Sequence, residues 1–126
     1  RFGRRLLGPS LACARPTREA LAGRTAGMLA EIRERSGRKP SAIWLCGIQH
    51  WLARSLVFWR DGELLSKSAA LRREVEEGSP SAEAFELALR IRREGSAMAN
   101  QYREELRRQF DECALACVAE IEWAMG

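Results

Sequence analysis

The chain has 126 residues, of which 46% are hydrophobic and 30% charged, with a formal net charge of +4. This length and composition are typical of one soluble-type domain with an adequate core, and they leave no room for a second domain within these 126 residues. The charge is uneven, because residues 1–60 carry 12 basic and 3 acidic side chains, whereas residues 61–126 carry 9 and 14. The basic half indicates contact with acidic protein, lipid phosphate or RNA, unless it is only a solvated tail.

The first 18 residues contain five arginines and no acidic residue, with leucine, glycine, serine and alanine between them. This composition is typical of an organelle-targeting segment or of the remainder that trimming leaves. An ordinary basic arm is the alternative. A helix is predicted next, with Thr17 as its N-cap and its end near Ser36-Gly37. We therefore divide the chain into a basic N-terminal extension with one helix, residues 1–40, and a helical domain, residues 41–126.

The most apolar stretch, residues 42–59, holds three of the four tryptophans. Ser41 is a predicted N-cap, and Trp44, Ile48, Trp51 and Ser55 recur at helical spacing on one side. Gln49, His50 and Arg54 are predicted to cluster on the opposite side.

The polar residues of this helix exclude a transmembrane segment, because one arginine at the centre of a membrane helix costs about 2.5–3.5 kcal/mol. Part of the tryptophan-rich face is a candidate for contact with a partner protein or a membrane edge. The alternative is a core helix that the rest of the chain covers.

Three further helices are predicted, over residues 63–77, 81–94 and about 97–123, with breaks at Gly62, Gly78 to Pro80 and Gly95. Their apolar residues recur every three or four positions, and no strand pattern is present. The predicted fold is an all-α single small domain of four to five amphipathic helices with no transmembrane helix.

The sequence offers little for catalysis. It has one histidine, His50, with no carboxylate three or four residues away, and it has no phosphate-cradling glycine loop and no zinc-protease motif. Cys46, Cys113 and Cys117 are expected to be reduced thiols on apolar helix faces, not disulfides or metal ligands. We expect a protein that is not an enzyme, with no catalytic residue, no metal and no cofactor.

An ordered set of short motifs resembles a known family. Trp44-Leu45, Gly47-Ile48 and Trp51 are similar to the start of the 14 kDa subunit of mitochondrial respiratory complex III, the ubiquinol-cytochrome c reductase binding protein family. Arg60-Asp61, Pro80, the run from Arg90 to Arg93 and Met98 follow in the order of that family. The chain resembles a divergent member, because its first forty residues have no counterpart there.

The resemblance implies a non-catalytic accessory subunit on the matrix side of the mitochondrial inner membrane. Such a subunit contacts cytochrome b and the core subunits in an obligate hetero-oligomer, and supports assembly and stability during electron transfer from ubiquinol to cytochrome c. An anionic lipid such as cardiolipin at the membrane edge is a further expected partner, and nucleic acid is not. The resemblance and the tryptophan pattern together predict a partner interface formed by Trp44, Ile48, Trp51, Arg54, Trp59, Arg60, Arg90, Arg92 and Arg93.

Two other functions remain open at this point. The helical, tryptophan-rich and basic character also suits an accessory protein of another mitochondrial inner-membrane complex, such as ATP synthase or complex I. The basic N-terminal half also suits a mitochondrial ribosomal or RNA-binding protein, although its aromatic residues are not interleaved with the basic ones. His50 is a speculative residue for a proton path, and no pattern marks a quinone pocket.

Overall fold

The computed structural model describes residues 17–79 and 81–126. Within these ranges the chain forms one 3-10 helix and five α-helices, with no strand: α1 Arg18–Arg35, α2 Ala42–Asp61, α3 Lys67–Glu76, α4 Ala82–Glu94, the 3-10 helix Ser96–Tyr102 and α5 Arg103–Met125. This confirms the predicted all-α fold. None of the helices in the described ranges is long and apolar enough to span a membrane. Residues 1–16, which hold all but the last two positions of the predicted targeting-type segment and include Cys13, lie outside the described residues. Pro80 also lies outside them.

Serine and threonine side chains fix the starts of three helices. Thr17 Oγ1 accepts a hydrogen bond from the Ala20 backbone N–H at 3.0 Å, and Ser41 Oγ accepts one from Trp44 at 3.2 Å. These bonds satisfy backbone donors that the first turn of a helix leaves free. Ser66 does the same for α3, so this helix begins at Lys67 and not at residue 63 as predicted.

The last predicted helix also differs from the structure at its start. Residues Ser96–Tyr102 form a 3-10 helix, and the α-helix begins only at Arg103. The Met98 N–H donates a hydrogen bond to the Gly95 carbonyl three residues earlier, whereas an α-helix bonds four residues apart. This tighter hydrogen-bond spacing is common at helix starts. Asn100 is a weak α-helix former, and it lies within this turn.

Helix α2 is the centre of the fold. It packs against α3, α4, α5 and the 3-10 helix, and it contributes the largest share of buried apolar side chains. Trp44 near its start contacts Phe110 of α5, and Arg60 near its end contacts Glu120, so α2 and α5 run in the same direction. Leu29 and Ile32 bring α1 into the same core, although residues 1–40 were predicted as an extension.

Candidate docking surface

A groove of about 390 Å³ lies between α1, α2 and the segment that leads into α3. We call it the docking groove. It is lined by five apolar or aromatic side chains and three cations: Leu21, Trp51, Phe58, Trp59, Leu64, Arg24, Arg54 and Lys67. None of the described residues that line it is acidic. A groove with apolar and positively charged side chains favours a ligand or protein surface that is both apolar and negatively charged.

The chain between α2 and α3 forms the rim of this groove. Gly62 ends α2 in a left-handed conformation, with a φ of 75° that a side chain would strain. Residues 62–66 then run back along α2, where the Arg54 Nε donates a hydrogen bond to the Leu65 carbonyl at 2.9 Å. Leu64 is left 69% exposed at the rim, so its side chain is accessible to a partner.

A second cavity, of about 350 Å³, lies where α2, α3 and α4 meet. We call it the arginine cavity. It combines three arginines with two serines, His50 and an apolar floor: Arg72, Arg92, Arg93, Ser68, Ser96, His50, Cys46, Leu89 and Ile91. The described residues that line it include no carboxylate.

His50 lines both cavities and is the point at which they meet. Burial, together with the positive charges of Arg92 and Lys67, lowers the pKa of His50 to about 4. The ring is therefore neutral at pH 7. Its Nε2 atom is buried and has no hydrogen-bond partner among the described residues.

Seven of the nine predicted interface residues are exposed or half-buried, and four of these seven line the two cavities. Trp51 and Arg54 line the docking groove, and Arg92 and Arg93 line the arginine cavity. Arg90 is exposed on α4 but lines neither cavity. The structure thus separates these residues into two neighbouring sites of different chemistry.

Two of the predicted residues, Ile48 and Trp59, are corrected by the structure because this chain buries them itself. They are 4% and 7% exposed and belong to the core. The Trp59 indole N–H donates to Thr25 Oγ1 at 3.3 Å, and the Arg18 guanidinium lies 4.7 Å from the ring centroid. Trp59 therefore joins α1 to α2, and only a small part of its ring reaches the wall of the docking groove.

Trp44 also has a role within the fold. Its ring meets Phe110 edge to face, with the centroids 5.6 Å apart, and the guanidinium of Arg35 covers it at 4.7 Å. Such contacts add to the stabilisation from buried area alone. Trp44 is half-buried, connects α1, α2 and α5, and lines neither cavity.

Arg60 was predicted to face a partner, but its guanidinium is satisfied inside the chain. It forms ion pairs with Glu74, Glu77, Glu120 and Asp61. Burial raises the pKa of the Glu74 carboxyl, although the hydrogen bond from Arg60 counteracts this, and the same hydrogen bond raises the pKa of Arg60. Arg60 therefore holds α2, α3 and α5 together and is a correction to the predicted interface.

The described cysteines are free thiols. Cys46 and Cys117 are buried, and Cys113 is half-buried. Burial raises the pKa of Cys117 to about 11, although Ser81 Oγ, 3.1 Å away, counteracts this. The Cys117 thiol is thus protonated at neutral pH and a poor nucleophile. Among the described residues, no three His, Cys, Asp or Glu side chains are grouped to hold a metal ion.

Sequence reasoning missed several residues of both sites, notably Arg24, Phe58, Leu64, Lys67 and Arg72. Leu64 was assigned to the apolar stripe of a helix. The signal that places it elsewhere is Ser66, whose N-cap preference leaves residues 62–66 outside α3.

Comparison with known proteins gives no match, whether the chain is compared with protein-family models, with curated proteins or with solved structures. The structure by itself defines the class, a small all-α domain with two cation-lined cavities beside its central helix.

Proposed function

We propose that the chain is a non-catalytic accessory subunit of mitochondrial respiratory complex III. It binds cytochrome b and the core subunits on the matrix side of the inner membrane, and supports assembly and stability while the complex transfers electrons from ubiquinol to cytochrome c. The observation that carries this proposal is the docking groove, which joins aromatic surface to three cations without a lining carboxylate. The resemblance described above selects complex III as the assembly.

The helices that carry the resembling motifs support the proposal by their packing. Residues 44–51 and Arg60-Asp61 belong to α2, and the run from Arg90 to Arg93 belongs to α4. Both helices pack against α3 and against each other. The motif residues thus belong to one packed unit, as expected if they were retained as part of one subunit fold.

The occupant that suits the docking groove is an acidic, partly apolar surface of a partner subunit. Leu64 and the half-buried Trp51 provide area whose removal from water favours association. Arg24, Arg54 and Lys67 attract a carboxylate-bearing surface and disfavour a basic one. Anionic lipid at the membrane edge satisfies the same charges around the rim of such an interface.

Native gel electrophoresis of a mild-detergent mitochondrial extract, with bands identified by mass spectrometry, tests the proposed assembly. We expect the chain to migrate with cytochrome b and the core subunits. Migration with ATP synthase or complex I would contradict the assignment to complex III and would support the broader class of inner-membrane accessory subunits.

Charge reversal at Lys67 is expected to lower the fraction of the chain that migrates with the complex by about tenfold or more, because like charges across an interface repel. Lys67 forms no ion pair with the described carboxylates, and glutamate at the first position of α3 suits the helix dipole, so Lys67→Glu leaves the fold intact. The matched control is Arg103→Glu, an exposed position outside both cavities. Equal losses in the two variants would contradict docking through this groove.

RNA binding is the second candidate, and the unpaired arginines of the arginine cavity favour it. An RNA complex that depends on phosphate contacts loses affinity steeply as salt is raised. A mitochondrial ribosomal or RNA-binding role predicts that dependence for the purified chain. A flat salt dependence, or no binding, removes this candidate.

A further inference from the structure

We propose that the arginine cavity is a binding site for a phosphate group in the dianionic form of a phosphomonoester. The site goes beyond the accessory-subunit function, because its lining comes from this chain alone, from α2, α3, α4 and the start of the 3-10 helix. The argument rests on unpaired charge, on donor geometry and on the neutral histidine at the back of the cavity.

The three arginines of the cavity differ from those arginines of the fold whose charge a described carboxylate pairs. Five other arginines form ion pairs within the fold: Arg33, Arg35, Arg60, Arg73 and Arg108. Among the described residues, Arg72, Arg92 and Arg93 have no carboxylate within ion-pair distance. Three like charges around one cavity repel one another, and a bound dianion relieves that repulsion.

The donors of the cavity match phosphate better than they match a lone carboxylate. A guanidinium presents its N–H groups as a planar fork that binds two phosphate oxygens at once. The Arg92 Nε donates to Ser68 Oγ at 2.7 Å, which fixes the side chain and leaves its two terminal nitrogens and the Ser68 hydroxyl proton for a ligand. Ser96 adds a second hydroxyl on the same wall.

The floor of the cavity strengthens these interactions. Ile91, Cys46 and Leu89 form it, and all three are buried. Apolar groups beside a charge lower the local dielectric, so the attraction between cation and anion is larger there than on an open surface. A volume of about 350 Å³ leaves space for a phosphate group together with part of the molecule that carries it.

His50 provides an internal reporter of occupancy. The charges of Arg92 and Lys67 already act on its ring. The other cations that line the two cavities are Arg72 on α3, Arg93 on α4, Arg24 on α1 and Arg54 on its own helix. A dianion placed among these charges favours the protonated ring. Its unpartnered Nε2 then has an acceptor to which it donates.

The test is an NMR titration of the full chain with inorganic phosphate, followed through the ring signals of His50, the only histidine in the sequence. Sodium chloride at matched ionic strength is the reference. We expect a saturable shift and a rise in the pKa of His50 towards its ordinary value of about 6.5. A parallel arm measures binding to phosphatidylcholine vesicles with and without phosphatidic acid, whose headgroup is a phosphomonoester.

Two substitutions on one helix make the test specific. Arg92→Ala is expected to weaken binding about tenfold or more, since it removes charge-assisted hydrogen bonds. Arg90→Ala, an equally charged and exposed change outside the cavity, is expected to leave binding unchanged. Arg72→Ala on α3 is a second variant in case Arg92→Ala perturbs the fold, which far-UV circular dichroism reports.

The outcomes separate the sources of the phosphate and decide the proposal. Saturable binding of inorganic phosphate that Arg92→Ala weakens identifies a soluble phosphate ligand. Binding only to vesicles that contain phosphatidic acid, with the same dependence on Arg92, identifies a lipid headgroup. Absence of binding in both arms, an equal response to chloride, equal losses in Arg90→Ala and Arg92→Ala, or binding of single-stranded RNA alone overturns the proposal. None of these results depends on which respiratory complex contains the chain.

Discussion

Replacing Arg60 with alanine is expected to lower the free energy of unfolding by about 3–5 kcal/mol near pH 7, the range for breaking a buried ion pair by removing one partner. Glu74 is 0% exposed, and Arg60 Nη2 lies 2.5 Å from its Oε2. The other carboxyl oxygen, Oε1, has no partner among the described residues. Without Arg60 the carboxylate would be buried and uncompensated, and α3 would lose its tie to α5 through Glu120. Urea unfolding at several pH values measures the effect.

How the destabilisation by Arg60→Ala changes with pH follows from the titration of the Glu74 carboxyl. Burial already raises the pKa of Glu74 in the native protein, and Arg60→Ala removes a group that lowers it, so the pKa rises further. In the unfolded chain the carboxyl titrates near about pH 4.3. When the pKa of a carboxyl is higher in the native protein than in the unfolded chain, the free energy of unfolding is unaffected at pH values below the unfolded pKa. It falls as the pH rises from the unfolded pKa towards the native pKa. The deficit of Arg60→Ala should therefore be small near pH 4 and widen towards pH 7.

Two controls isolate the buried pair. Arg73→Ala removes an arginine whose partners, Asp61 and Glu63, are solvent-accessible, and it is expected to destabilise the protein far less than Arg60→Ala. Adding Glu74→Gln to Arg60→Ala removes the stranded charge and should recover a substantial part of the loss. A deficit that is constant across the pH range and insensitive to Glu74→Gln would show that Arg60 acts by packing alone.

Replacing Phe110 with alanine is expected to lower the free energy of unfolding by about 3–5 kcal/mol as well, the usual range for a buried phenylalanine. Phe110 is 1% exposed in the core between α2 and α5, and its ring supports Trp44 edge to face. Its loss leaves a cavity and removes the ring against which Trp44 is held. Thermal or urea unfolding measures the change, and a red shift in tryptophan fluorescence is expected to accompany it.

Leu115 on the same helix is the matched control. It is 48% exposed, so Leu115→Ala should change the stability by no more than about 0.5 kcal/mol. If Phe110→Ala and Leu115→Ala lowered the free energy of unfolding by similar amounts, α5 would not pack through the face that contains Phe110.

Local signals in the sequence predicted the helices well. Thr17 and Ser41 are strong N-caps, and the apolar spacing between the breaks at Gly62, Gly78 and Gly95 predicts helices in each interval. These signals act within a few residues, so they are readable without knowledge of the packing. Ser66 is an equally local signal. If it is interpreted as an N-cap, like Thr17 and Ser41, the helix starts after it and Leu64 lies outside α3.

The covered side of α2 was not predictable in the same way. Its periodicity shows a wide apolar face, but which part faces solvent depends on where α1 and α5 pack. Trp59 is covered because Thr25, 34 residues away, accepts its N–H. Arg60 is satisfied because Glu74 and Glu120 approach it from 14 and 60 residues away. Long-range contacts of this kind leave no trace in the spacing of the sequence.

Site-specific cross-linking through the docking groove tests the central claim most directly. A photoreactive amino acid in place of Leu64, at the exposed rim, is compared in intact mitochondria with one in place of Leu115 on α5. We predict that position 64 gives an adduct with cytochrome b or a core subunit of complex III, identified by mass spectrometry, and that position 115 gives a much weaker one. Adducts of equal yield from both positions, or a position-64 adduct with a protein outside complex III, would contradict it.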